Sequence, residues 1–411
     1  MASTVFRDIY RQHPSFRRLE ELLAGDSGEP VTIHGLTGSS RAVVMAGALS
    51  QQPTTHVVLL PEKEDAAYFY NDLTSLLGDD NIFFFPGTYK RSVMYDQTEP
   101  ANIILRAEVL NFLTSGRRKC IIVTYPESVM EKVVSKTSLK KNTFSIKKGA
   151  RLSIEFLEEV LREYNFRRTD FVYEPGQYSV RGSITDLFSY SADKPYRIDF
   201  FGEEVDSIRS FSPDDQLSLQ LHDEIQVIPD IQELAFHESS DSFIDFIPPS
   251  SIIWSDNFDY IIEKTDNIWA QARTRSSKGE ISDRRDIIIT GRHLEELCSH
   301  HRRIFFGRGK HDQSTLNIEF RTEPQPAFNK NFTLLTSRLA SNVQEGYSNF
   351  IISESEVQEQ RLKEIFAETD PAVQFTPLLL NLHQGFTDHD LRIAVYTDHQ
   401  IFDRYHKFRI R

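Results

Sequence analysis

The sequence predicts an α/β protein: a parallel sheet covered by helices, an antiparallel α+β unit set into it, and a small α/β unit at the end. Three observations predict it. Strand and helix patterns alternate through residues 1–126 and resume over 229–323, the order of a parallel sheet. Between them, 127–228 changes to one amphipathic helix and a series of short strands separated by Pro- and Gly-containing turns. From 324 to 411 the alternation starts again as a separate unit. A chain of 411 residues exceeds what one hydrophobic core supports, so about two to four domains are expected.

In the first segment Val31–His34 reads as a strand, Ser39–Leu49 as a helix and His56–Leu60 as the next strand. Lys63–Leu77 follows as a helix with Ala66, Tyr70, Leu73 and Leu77 on one face, closed by Gly78. Ile82–Phe85 and Cys120–Thr124 are short continuous apolar runs, the mark of strands buried on both faces, with helix Ala101–Leu113 between them.

The stretch HGLTGSSRAVVMAGAL, residues 34–49, has the setting of a phosphate-gripping loop, with a strand before it, glycines Gly35 and Gly38 in it, and a helix after it. Its chemistry is missing. The working loop is written G-x-x-x-x-G-K-S/T, and the last three positions are Ser40, Arg41 and Ala42 here. Alanine carries no oxygen for magnesium, and arginine is a poor substitute for the lysine point charge. The fold class is therefore a degenerate P-loop NTPase-like domain, with Gly35, Gly38, Ser40, Arg41 and Ala42 not expected to bind nucleotide. Nor does Thr124-Tyr125-Pro126-Glu127 supply the acidic pair that would hold magnesium.

In the second segment Ser153 is a suitable N-cap for an amphipathic helix to Tyr164, with Phe156, Leu157, Val160, Leu161 and Tyr164 at helical spacing. Strands are expected at Phe171–Tyr173, Gln177–Arg181, Ile184–Ser189, Tyr196–Phe201, Val205–Phe211 and Glu224–Ile228, forming an antiparallel meander. The third segment, with Ser251–Trp254, a helix around His293–His300 and Arg303–Phe306, is expected to complete the first sheet. The last unit has helices Phe332–Val343 and Glu354–Phe366 and strands Asn349–Ile352 and Leu391–Thr397. It ends on RYHKFRIR without a closing helix, which suggests the front portion of a longer protein.

Composition narrows the function. No apolar run approaches the ~20 residues of a membrane helix, and the start lacks a signal-peptide pattern, so a cytoplasmic protein without a membrane partner is expected. Cys120 and Cys298 fit neither a disulfide framework nor a zinc site, and no metal is expected. His300-His301 has no ligand-spaced companion, and Asp398-His399 only faintly resembles a helicase acidic box. A net charge of -13 argues against broad nucleic-acid binding, although nine Lys and Arg against two Glu between Arg117 and Lys148 reverse the sign locally.

Residues 176–211, GQYSVRGSITDLFSYSADKPYRIDFFGEEVDSIRSF, carry the resemblance that resolves these readings. The run is similar, nearly position by position, to the segment shared by UvrB and the bacterial transcription-repair coupling factors. UvrB keeps a working phosphate loop, so the eroded loop here resembles the UvrB-like N-terminal module of the coupling factors. Phe84–Leu110 is also too short for the long aromatic hairpin of UvrB, and EGYSNFIISESEVQEQRLKEIF looks like the small α/β domain that follows the UvrB-like module.

The resemblance implies a non-catalytic docking module that recruits UvrA to stalled RNA polymerase. The ATP- and Mg-dependent translocase, and the contacts with polymerase and duplex DNA, would lie in C-terminal regions absent here. Those regions could also cover the docking face by an intramolecular contact. By resemblance, Arg168, Arg181, Phe188 and Arg197 fall on the UvrA-binding surface, and Ser179 departs from the pattern where UvrB commonly has another arginine. Two other readings follow from the same residues: a UvrB-related ATP-dependent repair helicase with Arg41 replacing the lysine, and a DNA-binding module using the Arg117–Lys148 patch.

Overall fold

The structure, a computed structural model, describes residues 2–25, 28–49, 54–88, 100–117, 119–237, 239–277, 287–307, 316–408 and 410. Among these, seven strands form one wholly parallel sheet in the order Leu316–Glu319, Val31–His34, Arg302–Phe306, Ile252–Asp256, Thr55–Leu59, Cys120–Thr124, Ile82–Phe85. The third segment does complete the sheet begun by the first. Its strands Ile252–Asp256 and Arg302–Phe306 insert between Val31–His34 and Thr55–Leu59, and Leu316–Glu319 adds at the edge beside Val31–His34. The chain thus leaves the sheet, builds the antiparallel unit and returns to it.

Both faces of the parallel sheet are covered, which explains its apolar strands. On one side Val43, Val44 and Met45 of helix Ser40–Leu49 and Leu73 and Leu76 of helix Lys63–Leu77 pack with Trp254 and Phe306. Ala66, Tyr70 and Leu73 of the expected stripe face this core, but its last position is taken by Leu76, and Leu77 is exposed. The other side buries Phe85, Val109, Phe243, Leu294 and Cys298. Val129, Met130, Val133, Val134 and Leu139 also belong to this second core, so residues 127–141 pack with the parallel sheet. The antiparallel unit starts later than the expected boundary, at strand Phe144–Lys147.

The main sheet of the antiparallel unit has six strands, antiparallel except where Arg167–Arg168 pairs parallel with its neighbour, in the order Ser218–His222, Glu204–Phe211, Tyr196–Phe201, Ile184–Leu187, Gln177–Arg181, Arg167–Arg168. Helix Ile154–Glu163, capped by Ser153 Oγ accepting from Phe156 N at 3.2 Å, lays Leu157 and Leu161 on one face. That face contributes Tyr178, Leu187, Ile198 and Ile208. Two expectations fail. Glu224–Val227 pairs with Phe144–Lys147 outside the meander, and 171–173 is not a strand because Gln177 Oε1 accepts from Tyr173 N at 2.9 Å, pulling the segment into a loop.

The last unit has a five-stranded mixed sheet, Thr322–Pro324, Phe386–Asp388, Ile393–Thr397, Ser348–Ser353, Thr376–Leu379. Phe350, Leu378, Phe386 and Val395 share a core with Phe6, Tyr10 and Phe16 of the first two helices, so this unit is packed against the parallel-sheet unit. The chain is therefore α/β, with a large parallel sheet and additional antiparallel pairing.

Candidate functional site

Two places hold the residues that the sequence singles out. The first is the loop after Val31–His34. Gly35 and Gly38 are left-handed at φ 75° and 54°, and a Cβ on Gly35 would stand 1.8 Å from the Phe320 carbonyl oxygen, so no other residue fits there. The loop's donors are taken by its own chain. Thr37 N donates to Ser40 Oγ and to Thr322 Oγ1, both at 2.9 Å, and Ser40 N donates to Thr37 O at 3.2 Å. Ser39 N donates to Gln384 O at 3.3 Å, and Ser39 Oγ donates to Asp72 at 2.6 Å while accepting from Gln384 N at 2.9 Å. The same Asp72 accepts from His383 N at 2.7 Å.

Residues 383–384 of the last unit thus lie directly over the loop. Burial raises the Asp72 carboxyl to about 7, against the lowering pull of Ser39 and His383 N. Ala42 is fully buried in the core. Arg41 forms an ion pair with Asp256, at the end of strand Ile252–Asp256. Sequence reasoning looked for an acid at Thr124–Glu127; the acid that pairs with Arg41 comes from a strand more than two hundred residues away from it in sequence.

The second place is the sheet face opposite helix Ile154–Glu163. Directly paired residues share a face, and register sets Ser179, Asp186, Arg197, Arg209 and Leu221 in one row across five strands. The neighbouring row is Arg181, Ile184, Asp199 and Ser207. Asp186 is fully buried beneath two arginines. Arg197 grips it in bidentate fashion, Nε to Oδ1 at 2.7 Å and Nη2 to Oδ2 at 2.8 Å, and Arg181 reaches the same Oδ2 at 2.5 Å.

Each guanidinium also lies over a ring: Arg197 over Phe211 at 4.5 Å and Arg181 over Phe171 at 5.1 Å. The hydrogen bonds to Asp186 hold Arg197 above its ordinary pKa. Arg181 keeps 39% of its side chain exposed and Arg197 keeps 17%, so the pair presents fixed positive charge outward. Arg209 pairs with Asp199 one strand further on.

Not all the expected residues meet here. Arg181 and Arg197 do. Phe188 is buried, packed with Val172 and Phe211, and supports the face from inside. Arg168 stands elsewhere: it is registered with Tyr178, whose side chain enters the helix-covered core, and its Nη1 lies 3.1 Å from Glu158 of that helix. Its neighbour Arg167 is registered with Gln177, on the open-face side. Arg167 and Arg209 are residues that sequence reasoning missed, because placing them needed register; alternation along Tyr196–Phe201 already puts Asp199 on one face with Arg197. Ser179 is buried, its hydroxyl donating to Asp170 O at 2.9 Å, so the position lies beneath the 169–174 loop.

Arg117 lies over Phe112, Lys136 over Phe246, and Lys147 pairs with Glu224 at 3.4 Å. Arg118 lies outside the described residues, as does the 89–99 part of the stretch compared with a hairpin. Cys120 and Cys298 are free and buried, and burial pushes their thiols up to about 11 and about 12. No helix among the described residues is long and apolar enough to cross a membrane.

An α/β chain carrying a UvrB-type interaction unit is the class that comparison supports: residues 144–232 match the family model described as UvrB interaction domain, a range that begins where the antiparallel unit begins. More particularly, the chain is similar to transcription-repair-coupling factors. It is 32% identical to that of Bacillus subtilis (strain 168) over 197 residues, 47% of this chain and 16% of the relative. With the Escherichia coli (strain K12) factor it shares 29% over 205 residues, 49% of this chain and 18% of the relative. UvrABC system protein B of Thermotoga neapolitana is 22% identical over 218 residues, 50% of this chain and 33% of the relative. These matches support the resemblance to an N-terminal region of the coupling factors. The alignments take in less than a fifth of the length of these two coupling factors.

Proposed function

We propose that this chain is a non-catalytic docking module of a transcription-repair coupling factor, and that it recruits UvrA through the open face of its antiparallel sheet. The observation that carries the proposal is the Arg181–Asp186–Arg197 arrangement. Two arginines, oriented by one buried carboxylate and backed by aromatic rings, stand outward within the segment similar to the UvrB interaction domain. Preoriented arginine over aromatic support is the composition of an interface hot spot, because little side-chain entropy remains to be lost on binding.

Arg167 and Arg209 extend this face on either side of the pair, and Phe188 contributes by supporting it. Arg168 projects from the far side of the sheet edge, and its share of the interface is the smallest.

In this proposal the loop at 35–42 is a nucleotide site that has become a structural joint. A triphosphate with magnesium does not fit it: the Thr37, Ser39 and Ser40 amides already have acceptors, Arg41 is neutralised by Asp256, and Ala42 offers no oxygen. The chain would then act without nucleotide of its own. ATP-driven translocation, and contacts with RNA polymerase and duplex DNA, belong to other parts of the proposed parent, and an intramolecular partner there is a candidate to cover the open face.

The test is calorimetric titration of the chain with purified UvrA. Wild type should bind. An Arg181→Glu, Arg197→Glu variant, checked for folding by thermal melt, should lose binding by more than tenfold, and Arg168→Glu should lose much less. Equal binding by wild type and a folded double variant sinks the open-face proposal. Binding of ATP by wild type, with none of UvrA, would restore the catalytic reading.

A further inference from the structure

The six-stranded sheet has two edges, and they are built differently. An edge strand presents unpaired backbone N–H and C=O groups, a template for another strand, and natural sheets blunt such edges with brevity and charge. The Arg167–Arg168 edge is blunted in this way, being two exposed arginines long. The Ser218–His222 edge is not. Leu217, Leu219 and Leu221 are 64%, 56% and 73% exposed, so three leucines alternate along an open edge.

Water is a poor neighbour for such a row. Covering exposed leucines is among the larger gains a short contact can make.

The charges at the ends of the strand select the occupant. Asp214 and Asp215 precede it and Asp223 follows it, all exposed. Asp215 is fixed by its hydrogen bond from Leu217 N at 3.1 Å. A second copy pairing antiparallel along Ser218–His222 would bring the acidic turn of one copy, Asp214 and Asp215, to the end of the strand where Asp223 of the other stands. Like charges brought together in this way repel, and the chain's net charge of -13 adds to the repulsion. A strand with Lys or Arg at both ends meets the same carboxylates favourably.

We infer that the Ser218–His222 edge is a docking site for an extended segment of another protein, with apolar side chains at alternate positions and basic residues at both ends, added as a seventh strand. Backbone pairing would give affinity and the leucines and carboxylates specificity. The inference does not rest on the UvrA reading: Ser218–His222 lies two strands from Arg197 and four from Arg181, although Leu221 shares their open face.

The probe is a fluorescein-labelled peptide, KKVTVTVKK, titrated against the full chain by anisotropy, with EEVTVTVEE and the strand-breaking KKVTPTVKK as controls. The lysine-flanked peptide should bind, weakening with salt, while both controls bind at least tenfold more weakly. Hydrogen exchange at 218–222 should slow on binding. Leu219→Asp with Leu221→Asp should abolish binding, and Leu221→Lys, a milder change at an exposed site, should weaken it. Arg181→Glu, four strands away, should leave it intact. Three results would overturn the inference: no binding of the lysine-flanked peptide, binding indifferent to the leucine variants, or a concentration-dependent dimer of wild type that those variants abolish, which assigns the edge to a second copy.

Discussion

The loop corner and the open sheet face use the same materials to opposite ends. Each joins arginine to carboxylate, Arg41 to Asp256 in one and Arg181 and Arg197 to Asp186 in the other. At the corner the chain's own last unit comes down over the loop, and Gln384 and Thr37 accept the amide hydrogens that an anion would need. On the sheet face the carboxylate lies beneath and the guanidinium groups lie above it, so pairing fixes their direction without covering them. What separates a structural joint from a candidate binding surface here is which partner lies on the solvent side.

The largest expected effect comes from breaking the open face at its buried centre. Asp186→Ala leaves two arginines packed over rings with their shared acceptor gone. Losing one partner of a buried pair costs ~3–5 kcal/mol, and the partial exposure of both arginines reduces that to about 2–3 kcal/mol. Denaturant titration should show this loss. If the protein keeps its wild-type midpoint, Asp186 does not organise the face, and the comparison with the corner loses its basis.

Gly35→Ala comes next and strikes the corner instead. A Cβ there meets the Phe320 carbonyl at 1.8 Å from a backbone at φ 75°. A main-chain clash in a left-handed conformation should cost about 1–3 kcal/mol. A variant that still folds at low temperature should bind UvrA as wild type does, because the corner and the sheet are separate devices. Loss of binding in a folded Gly35→Ala protein would show that the two regions are coupled.

Much of this fold was legible because its strands are buried on both faces. IFFF and CIIVT can only be interior, and the Pro and Gly turns of 174–204 delimit strands whatever surrounds them. The edge strand Ser218–His222 was missed for the opposite reason: no residue of it is buried, so it carries no inward stripe to read. Helix Phe258–Ser277 was also passed over, its apolar residues Ile261, Ile262, Ile268 and Trp269 being interrupted by charge.

The candidate site was legible in composition and not in register. Which of Arg167 and Arg168 takes the open side depends on how a two-residue strand pairs with its neighbour, and one step reverses it. Asp256 and Gln384 were invisible as partners of the loop because their contacts with it are made by folding.

Acid offers a way to loosen the corner selectively. Beside it Tyr68 stacks on His383, with ring centroids 3.5 Å apart, and His399 stacks on His406 at 4.2 Å. Burial first, and the neighbouring His406 second, lower His383 and His399 to about 4, and burial lowers His406 also. Asp398, Arg404 and Glu354 surround them: Arg404 donates to Asp398 at 2.8 Å, and Glu354 lies 3.5 Å from His406 Nδ1.

A histidine whose folded pKa lies below the unfolded value of about 6.5 leaves the unfolded state binding more protons between the two. The stability from these groups is complete above about 6.5 and is lost as pH falls toward about 4. Asp72, raised to about 7, has the opposite sign: its contribution is present at low pH and is lost as pH rises through about 7. Three strongly shifted histidines, namely His383 and His399 together with His56, which burial lowers to about 3, outweigh one carboxyl, so the melting temperature should fall from pH 7 to pH 5. His383→Gln with His399→Gln should shrink that fall. An unchanged pH slope in the double variant would show that the stack is not its source.

The smallest expected effect is the most informative about the corner. Ser40→Gly, Arg41→Lys and Ala42→Thr together restore the written form of a phosphate loop, and calorimetry with Mg-ATP should still show no binding. The substitutions supply the lysine and the hydroxyl, but they leave Gln384 O on the Ser39 amide and Gln384 N on the Ser39 hydroxyl. They leave Asp256 beside the new lysine as well. An anion must displace these partners before it reaches the backbone donors that do most of the cradling. If the triple variant does bind nucleotide, the cover provided by residues 383–384 is weaker than its hydrogen bonds suggest, and the corner differs from a working site in three side chains alone.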